Sequence, residues 1–540
     1  MKLRKLTALL LCIVTAISFT ACNKTGTEGA GAPDYSGYTD KFDFYGYTAV
    51  TDGTYRLDGA IVKASEDLRT EEKIREYKEA GMTIFFPQSQ AQVTGNDPEG
   101  DWEKAKVIWD RAVAAGFEKR ILMRDVRILM LANGQGNPGK DVSEFDPEGI
   151  IGPTKQFANE DALDEAMYGF ISLYKDHPGF YGVMLNDEPS INVVIPYGQV
   201  YQSIRRVSEK YDFDCYVQYN LLPMRAAATN NAFTSYPLLD GFNSVEEEIE
   251  HYGVANQELT CLAYEKYVTE FLDALYGIDY VMFDDYPLRG TEKNGSVMKE
   301  YVREMQIVAK VAKEKGVKFY NVTQTFAGEN QKTGDRTYRY VKRAEADWLN
   351  NILLMFGVKQ IAYYTYMPHQ SNTTNNLFHL SDGSFIDREG NKTPLYDIMQ
   401  AVMKENQAFA PTYMQFEYQT SKVIIKSPLN STQNHADWAI KDCEFVKAKD
   451  VQINKEYALV SELYDDENGN YMYAVQNIVD TTYLGSKFYQ TATITFDANE
   501  YDYALVYRNG EPTVQKLENG VLTIKNAPGE AAFAIPYKSK

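Results

Sequence analysis

The stretch VMKEYVREMQIVAKVAKEKGVKFYNVT, residues 297–323, contains the structural unit that decides the fold. Apolar residues three and four positions apart predict an amphipathic helix over Val297–Lys315. Gly316 is a typical residue just after a helix end, and the short run Phe319–Thr323 predicts a strand directly behind it. Helix, glycine and strand in this order are typical of a parallel sheet with crossover helices.

The same unit recurs between residues 42 and 410. The strand candidates are Phe44–Val50, Met82–Pro87, Arg120–Val126, Phe180–Leu185, Cys215–Tyr219, Tyr280–Phe283, Phe319–Thr323 and Gln360–Tyr366. The helix candidates are Glu71–Ala80, Trp102–Ala115, Ala162–Tyr174, Val200–Tyr211, Tyr264–Tyr276, Val297–Lys315, Tyr338–Phe356 and Leu395–Asn406. Eight such units predict an α/β fold of the (β/α)8 TIM-barrel type over residues 41–410. A doubly wound sheet is disfavoured because no Gly-x-Gly-x-x-Gly follows the first strand.

After Ala410 and Pro411 the pattern changes to alternating apolar residues separated by tight turns. The strand candidates are Tyr471–Gln476, Ala492–Phe496, Ala504–Tyr507, Val521–Lys525 and Ala532–Ile535, and Asn-Gly turns follow at residues 468–469, 509–510 and 519–520. These features predict an antiparallel β-sandwich domain over residues 411–540. Its expected role is structural support or accessory glycan binding.

The N-terminus predicts export followed by lipid anchoring. Basic residues precede an apolar run over residues 6–19, and Phe19-Thr20-Ala21-Cys22 resembles the bacterial lipobox. We therefore expect residues 1–21 to be a signal peptide, Cys22 to be lipidated and residues 22–40 to form a flexible tether. The predicted location is outside the cytoplasm on a bacterial membrane.

Composition narrows the classes of partner. The 540 residues are 44% hydrophobic and 24% charged, which is typical of a folded globular protein. A net charge of -20 would repel nucleic acid over most of the surface. The five His residues form no His-x-x-His pair and no Cys-x-x-Cys is present, so neither a metal nor a cofactor is expected.

In a barrel, polar residues at the C-terminal ends of the strands meet in one active site. These residues are Gln88, Gln90, Arg124, Asp125, Asn186, Asp187, Glu188, Gln218, Asn220, Asp284, Asp285, Tyr286, Gln324, Tyr364, Tyr366 and His369. The set is rich in carboxyl and amide groups. Carboxylates at different strand ends suit glycoside hydrolysis, in which one group protonates the leaving oxygen and another activates water or attacks.

Glu188 and Asp284 are the predicted catalytic pair. Glu188 follows an apolar run, and partial burial would raise its pKa toward that of a general acid, with Asp284 as base or nucleophile. Asp187 could position a substrate amide or tune Glu188, because adjacent carboxylates separate each other's proton affinities. Asp187 and Asp285 could equally cap the helices that follow them.

Further residues of the predicted mouth would bind substrate. Tyr47, Tyr286, Tyr364 and Tyr366 could stack on sugar rings or fill the barrel. Arg124 could orient a carboxylate of the substrate or pair with Asp125 or Asp284. The remaining predicted substrate-binding residues are Asn186, Asp187, Gln88, Gln218, Asp285 and Gln324.

Four stretches carry a resemblance to a known group: GVMLNDEPS (182–190), MFDDYP (282–287), GVKQIAYYTYM (357–367) and FIDREGNKTPLY (385–396). They are similar to secreted bacterial barrel proteins described as glycoside hydrolases like the family 42 β-galactosidases. The resemblance covers residues 80–410, and GVLTIKNAPGEAAFAI (520–535) resembles the accessory β domain of such enzymes. It implies an acid/base role for Glu188 and a site role for Asp284.

The seventh strand departs from that family. Where its retaining enzymes place a nucleophilic Glu, this chain has Asn321-Val322-Thr323-Gln324-Thr325. Either Asp284 takes part in an inverting mechanism, or the barrel binds glycans without cleaving them. The pair Asp187-Glu188 also resembles the acid pair of family 20 hexosaminidases, in which the acetamido group of the substrate attacks.

The sequence therefore predicts a surface-anchored glycosidase acting on extracellular oligosaccharide. The alternative is a catalytically silent glycan-binding lipoprotein. A solute-binding protein is disfavoured, because that fold needs two α/β lobes and has no β-sandwich at its end.

Overall fold

The computed structural model describes residues 31–57, 60–63, 66–135, 149–151, 156–224, 245–330, 333–368, 377–428, 436–483 and 485–540. The predicted signal peptide, Cys22 and His369 lie outside these residues. Among the helices described, none combines the length and apolar composition that a membrane crossing requires.

The part of the chain before residue 414 mixes strands and helices. Its strands are β1 (Asp43–Gly46), β2 (Tyr55–Leu57), β3 (Ala60–Val62), β4 (Gln92–Val93), β5 (Ile121–Asp125), β6 (Phe180–Asp187), β7 (Tyr216–Asn220), β8 (Tyr280–Asp284), β9 (Leu288–Gly290), β10 (Gly295–Val297), β11 (Lys318–Gln324), β12 (Gly328–Asn330), β13 (Arg336–Tyr338), β14 (Val358–Tyr364) and β15 (Leu377–His379). Its helices are α1 (Glu71–Glu79), α2 (Pro98–Ala114), α3 (Val126–Ala132), α4 (Glu160–Ile171), α5 (Val194–Lys210), α6 (Val245–Tyr252), α7 (Asn256–Ala274), α8 (Tyr301–Lys315), α9 (Arg343–Met355) and α10 (Pro394–Tyr413).

Two four-stranded parallel sheets form the centre of this part. One has the order β4-β5-β6-β7 and the other β1-β14-β11-β8. Leu221, directly after β7, donates its N–H to Met282 O of β8 at 2.9 Å and so connects one pair of sheet edges. On the other side the connection runs through the segment before β4: Thr83 N donates to Phe44 O of β1 at 2.8 Å, and Phe85 bridges to Ile121 of β5. The parallel α/β architecture predicted from the sequence is confirmed.

The predicted second strand, Met82–Pro87, differs most from expectation. Within it the structure has one parallel bridge, from Phe85 to Ile121. A short turn of 3-10 helix over Gln88–Ala91 follows, and β4 then pairs with the end of β5. The other seven predicted strands agree with β1, β5, β6, β7, β8, β11 and β14 to within a few residues.

In helix α8 the apolar residues that predict the helix from the sequence form its buried face. Met305, Val308 and Ala312 are buried at spacings of three and four residues, whereas its last turn carries exposed lysines. Gly316 ends the helix in the left-handed conformation, with a φ of 66°. Residues that carry a side chain adopt this conformation less readily than glycine. The helix begins at Tyr301 rather than Val297 because Val297 pairs with Leu288 in an antiparallel hairpin.

That hairpin belongs to a small antiparallel sheet that the sequence analysis missed. Its strand order is β10-β9-β13-β12-β15, and all five strands come from the loops after β8, β11 and β14. The loops therefore form a second layer at the C-terminal end of these parallel strands. For the same reason α9 begins at Arg343 and not at Tyr338, which lies in β13.

The C-terminal part consists of antiparallel strands, which confirms the predicted change of architecture. The strands are β16 (Glu417–Lys426), β17 (Asp450–Ile453), β18 (Glu456–Asp465), β19 (Asn470–Asn477), β20 (Gln490–Thr495), β21 (Tyr503–Arg508), β22 (Glu511–Lys516), β23 (Val521–Asn526) and β24 (Ala531–Tyr537). They form a six-stranded sheet, β16-β18-β19-β24-β21-β22, and a three-stranded sheet, β17-β20-β23.

The six-stranded sheet is covered on both faces. One face packs against the three-stranded sheet through residues such as Val475 and Ile494. The other packs against α10, where Phe409 contacts Tyr507 with ring centroids 4.6 Å apart and Phe533 at 5.3 Å. Every residue of β24 is accordingly buried.

The segment before β1 is partly anchored, which shortens the predicted tether. The Tyr35 hydroxyl donates to Asp465 Oδ2 at 2.8 Å and accepts from Asn470 Nδ2 at 2.9 Å. The Tyr35 ring packs against Phe416. Tyr35 is therefore part of the core, although it lies within the predicted tether.

Candidate active site

The ends of three neighbouring parallel strands bring together two carboxylates and an amide. Asp187, Asn220 and Asp284 are the last residues of β6, β7 and β8. The Asn220 side-chain nitrogen donates to Asp187 Oδ1 at 3.1 Å and to Asp284 Oδ1 at 2.8 Å. One amide group therefore fixes the positions of two carboxylates that lie 97 residues apart in the chain.

Glu188 joins this group through an unusual backbone conformation. Its φ is 48°, in the left-handed region that costs a non-glycine residue about 1 kcal/mol. The Glu188 N–H donates to Asn220 O at 2.9 Å, which holds the turn in place. The Glu188 carboxyl in turn hydrogen bonds to that of Asp284. Strain of this kind persists where the surrounding structure enforces it, often at functional sites.

Burial raises the pKa of all three carboxyl groups. Asp187 and Glu188 are accessible to solvent, but protein atoms surround them on most sides and weaken their hydration. Desolvation raises the pKa of Glu188 well above its ordinary value, and the charges of Asp284 and Asp187 raise it further. Burial together with the charge of Asp187 raises the pKa of Asp284 to about 7.

Hydrogen-bond donors are distributed unequally among the three groups. Asp187 accepts from the Tyr47 hydroxyl at 2.7 Å as well as from Asn220, and the Arg124 charge favours its ionised form. Bonds from Tyr286 and Asn220 likewise oppose the rise in the pKa of Asp284. The interactions of Glu188 with Asp284 and Asp187 instead raise the pKa of Glu188, which favours its protonated form.

Aromatic side chains line one side of the cluster. Tyr286 stacks on Tyr364 with ring centroids 5.1 Å apart. Phe326 meets both rings edge-on, at 5.3 and 5.4 Å. Tyr286 and Tyr364 are half-buried, so they place partly accessible ring surface beside the carboxylates. Such a surface suits the apolar faces of a sugar ring.

Arg124 lies at the edge of this group. It is half-buried, and its Nη1 donates to Gln92 Oε1. Burial lowers its pKa, and the charge of Asp187 acts in the opposite direction. The predicted pairing of Arg124 with Asp125 is wrong, because Asp125 binds Arg127 at 2.7 Å.

Three predicted substrate-binding residues perform structural tasks instead. The amide of Gln324 is occupied by the backbone: it accepts from Leu288 N at 3.0 Å and donates to Leu288 O at 3.2 Å. Tyr366 is fully buried against Tyr77, with ring centroids 4.7 Å apart. Gln218 is also fully buried, and its amide nitrogen donates to the backbone oxygen of Tyr219, the next residue of β7, at 3.3 Å.

Three others point away from the cluster or lie at its edge. The Asn186 amide donates to Asn133 Oδ1 at 2.5 Å, behind β6. Gln88 is half-buried and pairs loosely with Thr48, at 3.4 Å. Asp285 is 3% exposed and faces α8, on the side of β8 opposite to Asp284. Successive strand residues face opposite sides, so Asp284 and Asp285 could not both enter one site.

Sequence reasoning underestimated two residues and missed a third. Asn220 and Tyr47 were recognised near the strand ends, but not as the hydrogen-bond partners of Asp187. No feature of the sequence distinguishes Tyr267 of α7 as a site residue, since a tyrosine on a helix face usually belongs to the core. Its hydroxyl donates to Pro189 O at 2.8 Å and accepts from Leu222 N at 3.2 Å, connecting the loops after β6 and β7.

Within the residues described, no group of three or more His, Cys, Asp or Glu side chains could hold a metal ion. A Glu188 carboxyl whose pKa is raised, beside two aspartates that receive hydrogen bonds, is suited to general acid catalysis.

No protein-family model matches the chain, and no curated protein matches it. Among solved structures it is similar to the α-amylase of Geobacillus thermoleovorans complexed with acarbose, at 11% identity and a TM-score of 0.44, over 93% of this chain and 99% of that one. It is also similar to a family 27 β-L-arabinopyranosidase from Geobacillus stearothermophilus, at 9% identity and a TM-score of 0.43, over 95% of this chain and 100% of that one. A family 30 endoxylanase from Clostridium papyrosolvens matches at 10% identity and 0.36, over 93% and 98%. The functional proposal depends on the site itself.

Proposed function

We propose that the protein is a glycoside hydrolase in which Glu188 is the general acid and Asp284 its partner. The observation that carries this proposal is the contact of the Glu188 and Asp284 carboxyls beside Asp187, with donors supplied to both aspartates. Unequal stabilisation of neighbouring carboxyls separates an acid from a base at one pH. The stacked Tyr286 and Tyr364 supply a surface for a sugar ring.

We also propose that the parallel strands close into a barrel. The eight parallel segments would form a closed (β/α)8 barrel, since Leu221 joins the β7 side to β8 and the segment around Thr83 and Phe85 lies between β1 and β5. Asp187, Asn220 and Asp284 are then residues of one barrel mouth, at the C-terminal ends of the strands.

Two observations favour a reaction in which the substrate supplies the nucleophile. Carboxyl groups lie about 5–5.5 Å apart in retaining and about 6.5–9.5 Å apart in inverting glycosidases, whereas a hydrogen-bonded pair is closer than either. In addition, β11 ends in Gln324, whose amide is committed to the backbone. The site thus has an acid, Glu188, and an anionic group that can bind substrate, Asp187. At the end of β11, the seventh strand, it has no carboxylate that could act as nucleophile.

In that reaction the acetamido oxygen of a 2-acetamido sugar attacks the anomeric carbon. The bond from the anomeric carbon to the glycosidic oxygen breaks, and Glu188 gives its proton to the leaving oxygen. Asp187 accepts a hydrogen bond from the acetamido N–H, and Asp284 is the partner whose contact with Glu188 keeps the proton on Glu188 until it is transferred. Water then opens the cyclic intermediate and returns a proton to Glu188. An inverting reaction with Asp284 as base is the alternative, and it requires the Glu188 side chain to move away from Asp284.

Location and partners are part of the same proposal. A lipid on Cys22 would hold the protein at a membrane outside the cytoplasm, where its partner is an extracellular oligosaccharide. The net charge of -20 argues against a nucleic-acid partner. The second candidate function is glycan binding without cleavage, which the missing seventh-strand carboxylate favours.

Hydrolysis of a panel of aryl glycosides, with and without a 2-acetamido group, tests the proposal. We expect cleavage by the wild-type protein, loss in Glu188→Gln and no change in Glu103→Gln, which alters an exposed acid of α2. Binding of oligosaccharides without cleavage of any substrate would favour the silent protein. Cleavage that survives Glu188→Gln would contradict the assigned acid.

A further inference from the structure

A second pair of carboxyl groups lies directly behind the candidate active site. Asp285 follows Asp284 at the end of β8, and Glu304 lies in the first turn of α8. They are 3% and 0% exposed, and the proposed reaction uses neither. A buried pair of acids is costly unless its protons and charges are satisfied, so the contacts of this pair need an explanation.

Glu304 bridges two loops that start at the catalytic strand ends. Its Oε1 accepts from the backbone N–H of Met224, in the loop after β7, at 2.5 Å. Its Oε2 and the Asp285 Oδ2 are both buried and receive no bond from any N–H or O–H group of the residues described. The two carboxyls face each other, so a proton shared between these two atoms would satisfy both. Asp285 Oδ1 accepts from Tyr286 N at 2.7 Å, which fixes Asp285 in the loop after β8. Glu304 therefore connects the loop after β7 to the loop after β8.

A hydrogen bond between two carboxyl groups requires one proton. Burial and the charge of Asp285 raise the pKa of Glu304 well above its ordinary value of 4.5. Burial raises the pKa of Asp285 only to about 6, because the Arg289 charge opposes the shift. These shifts favour a proton on Glu304 that is shared with an ionised Asp285.

This bridge lies parallel to the one inside the site. Asn220, at the end of β7, donates to Asp284, at the end of β8, at 2.8 Å. Met224 lies four residues after Asn220, and Asp285 lies one residue after Asp284. Glu304 connects Met224 to Asp285. The same two strand ends are thus joined twice, by a neutral amide in front and by a carboxylic acid behind.

We propose that Glu304 is a positioning residue that, as a neutral acid, holds the ends of β7 and β8 at the separation that the bond from Asn220 to Asp284 requires. The catalytic consequence rests on the proposed function, whereas the bridge itself does not. Loss of the proton would leave two anions in contact inside the protein, and their repulsion would separate Met224 from Asp285.

The groups around the pair define what else could titrate. Asp285 is faced by the guanidinium of Arg289, from β9, and by the carboxyl of Glu300, which precedes α8. Glu304 is faced by the hydroxyl of Tyr264, from α7. The Tyr301 hydroxyl lies near both acids. Burial raises the pKa values of both tyrosines well above 10, so neither changes charge where the pair does.

The test compares Glu304→Gln, which keeps one acceptor for Met224 and one donor for Asp285 without a titrating proton, with Glu304→Leu, which removes both. The control is Tyr267→Phe, which breaks a different contact to the same loop, at Leu222 N. Hydrogen–deuterium exchange of a peptide ending at Met224 and thermal unfolding are measured from pH 5 to pH 9. Neither readout depends on catalysis.

In the wild type we expect protection of the Met224 amide to fall as the pH rises, because the bridge loses its proton. Glu304→Gln should keep that protection at every pH, Glu304→Leu should lose it at every pH, and Tyr267→Phe should keep the pH dependence of the wild type. If glycosidase activity is found, Glu304→Gln should also extend the alkaline limb of the pH profile of kcat. Equal pH dependence of protection in the wild type and Glu304→Gln would overturn the proposal, whether or not the protein cleaves glycosides.

Discussion

Asp284 and Asp285 are neighbours in the chain, yet they belong to two different clusters of carboxyl side chains. Asp284 forms a solvent-accessible cluster with Asp187 and Glu188, and Asp285 forms a buried pair with Glu304. In both sites burial and a neighbouring carboxylate favour a proton on one of the carboxyl groups. Glu188 is exposed, so a proton on its carboxyl can be transferred to a bound molecule. Glu304 is fully buried, so a proton on its carboxyl can only hold the two loops together. The comparison shows that accessibility decides what a shared proton can do.

The largest expected effect comes from removing the transferable proton. Glu188→Gln should lower kcat by about 1,000-fold, because general acid catalysis contributes roughly 100- to 10,000-fold. The measurement is steady-state hydrolysis of the best aryl glycoside at pH 6. The effect should shrink for substrates with very acidic leaving groups, which need little protonation. An equal loss for all leaving groups would assign Glu188 a role other than acid.

The second effect concerns stability and follows from the raised pKa of Asp284. In the folded protein this pKa is about 7, against 3.8 ordinarily, so the folded state binds more protons between these values. The free energy of unfolding should therefore fall, by about 2–4 kcal/mol, as the pH rises from 4 to 7. Asp284→Asn should flatten that slope in urea denaturation. A slope unchanged by the substitution would place Asp284 outside the coupled cluster.

The third effect separates the amide bridge from the acids that it connects. Asn220→Ala removes the donor shared by Asp187 and Asp284. Loss of that donor should raise the pKa of Asp284 and lower kcat by about 10- to 100-fold, since hydrogen bonds to charged groups contribute about 1.5–3 kcal/mol. The acid limb of the pH profile of kcat should move to higher pH. A change in KM alone would indicate that Asn220 contacts substrate only.

The smallest effect distinguishes the accessible aromatic surface from the buried one. Tyr364→Ala should raise KM by about 10-fold, because stacking contributes roughly 0.5–1.5 kcal/mol in addition to area burial. Tyr366→Phe removes only a buried hydroxyl and should leave KM and kcat unchanged. Comparable increases in KM for both variants would mean that Tyr366 reaches the substrate after all.

The sequence predicts the parallel strands well, because a buried parallel strand and its following helix produce continuous and periodic apolar patterns. It does not predict the antiparallel sheet over the strand ends. Its strands, such as Gly295–Val297, are three residues long and depend on pairing with distant loops. The same limit explains why the helices were predicted to begin too early at Val297 and Tyr338.

Within the site, sequence position identifies which residues reach the strand ends but not which side they face. Glu188 and Asp284 were brought together as expected. Asp285, Gln324 and Tyr366 were not, because side-chain direction alternates along a strand and the loops bend after it. The role of Glu304 could not be predicted, since a single Glu on an amphipathic helix looks like a solvated residue.

A carboxyl-selective NMR titration of Glu188, in the wild type and in Asp284→Asn, tests the central claim most directly. If the two carboxyls share one pocket, Glu188 should titrate well above its ordinary pKa of 4.5 in the wild type and closer to that value in the variant, where the Asp284 charge is absent. Titration near 4.5 in both proteins would contradict a coupled acid pair and the acid role that depends on it.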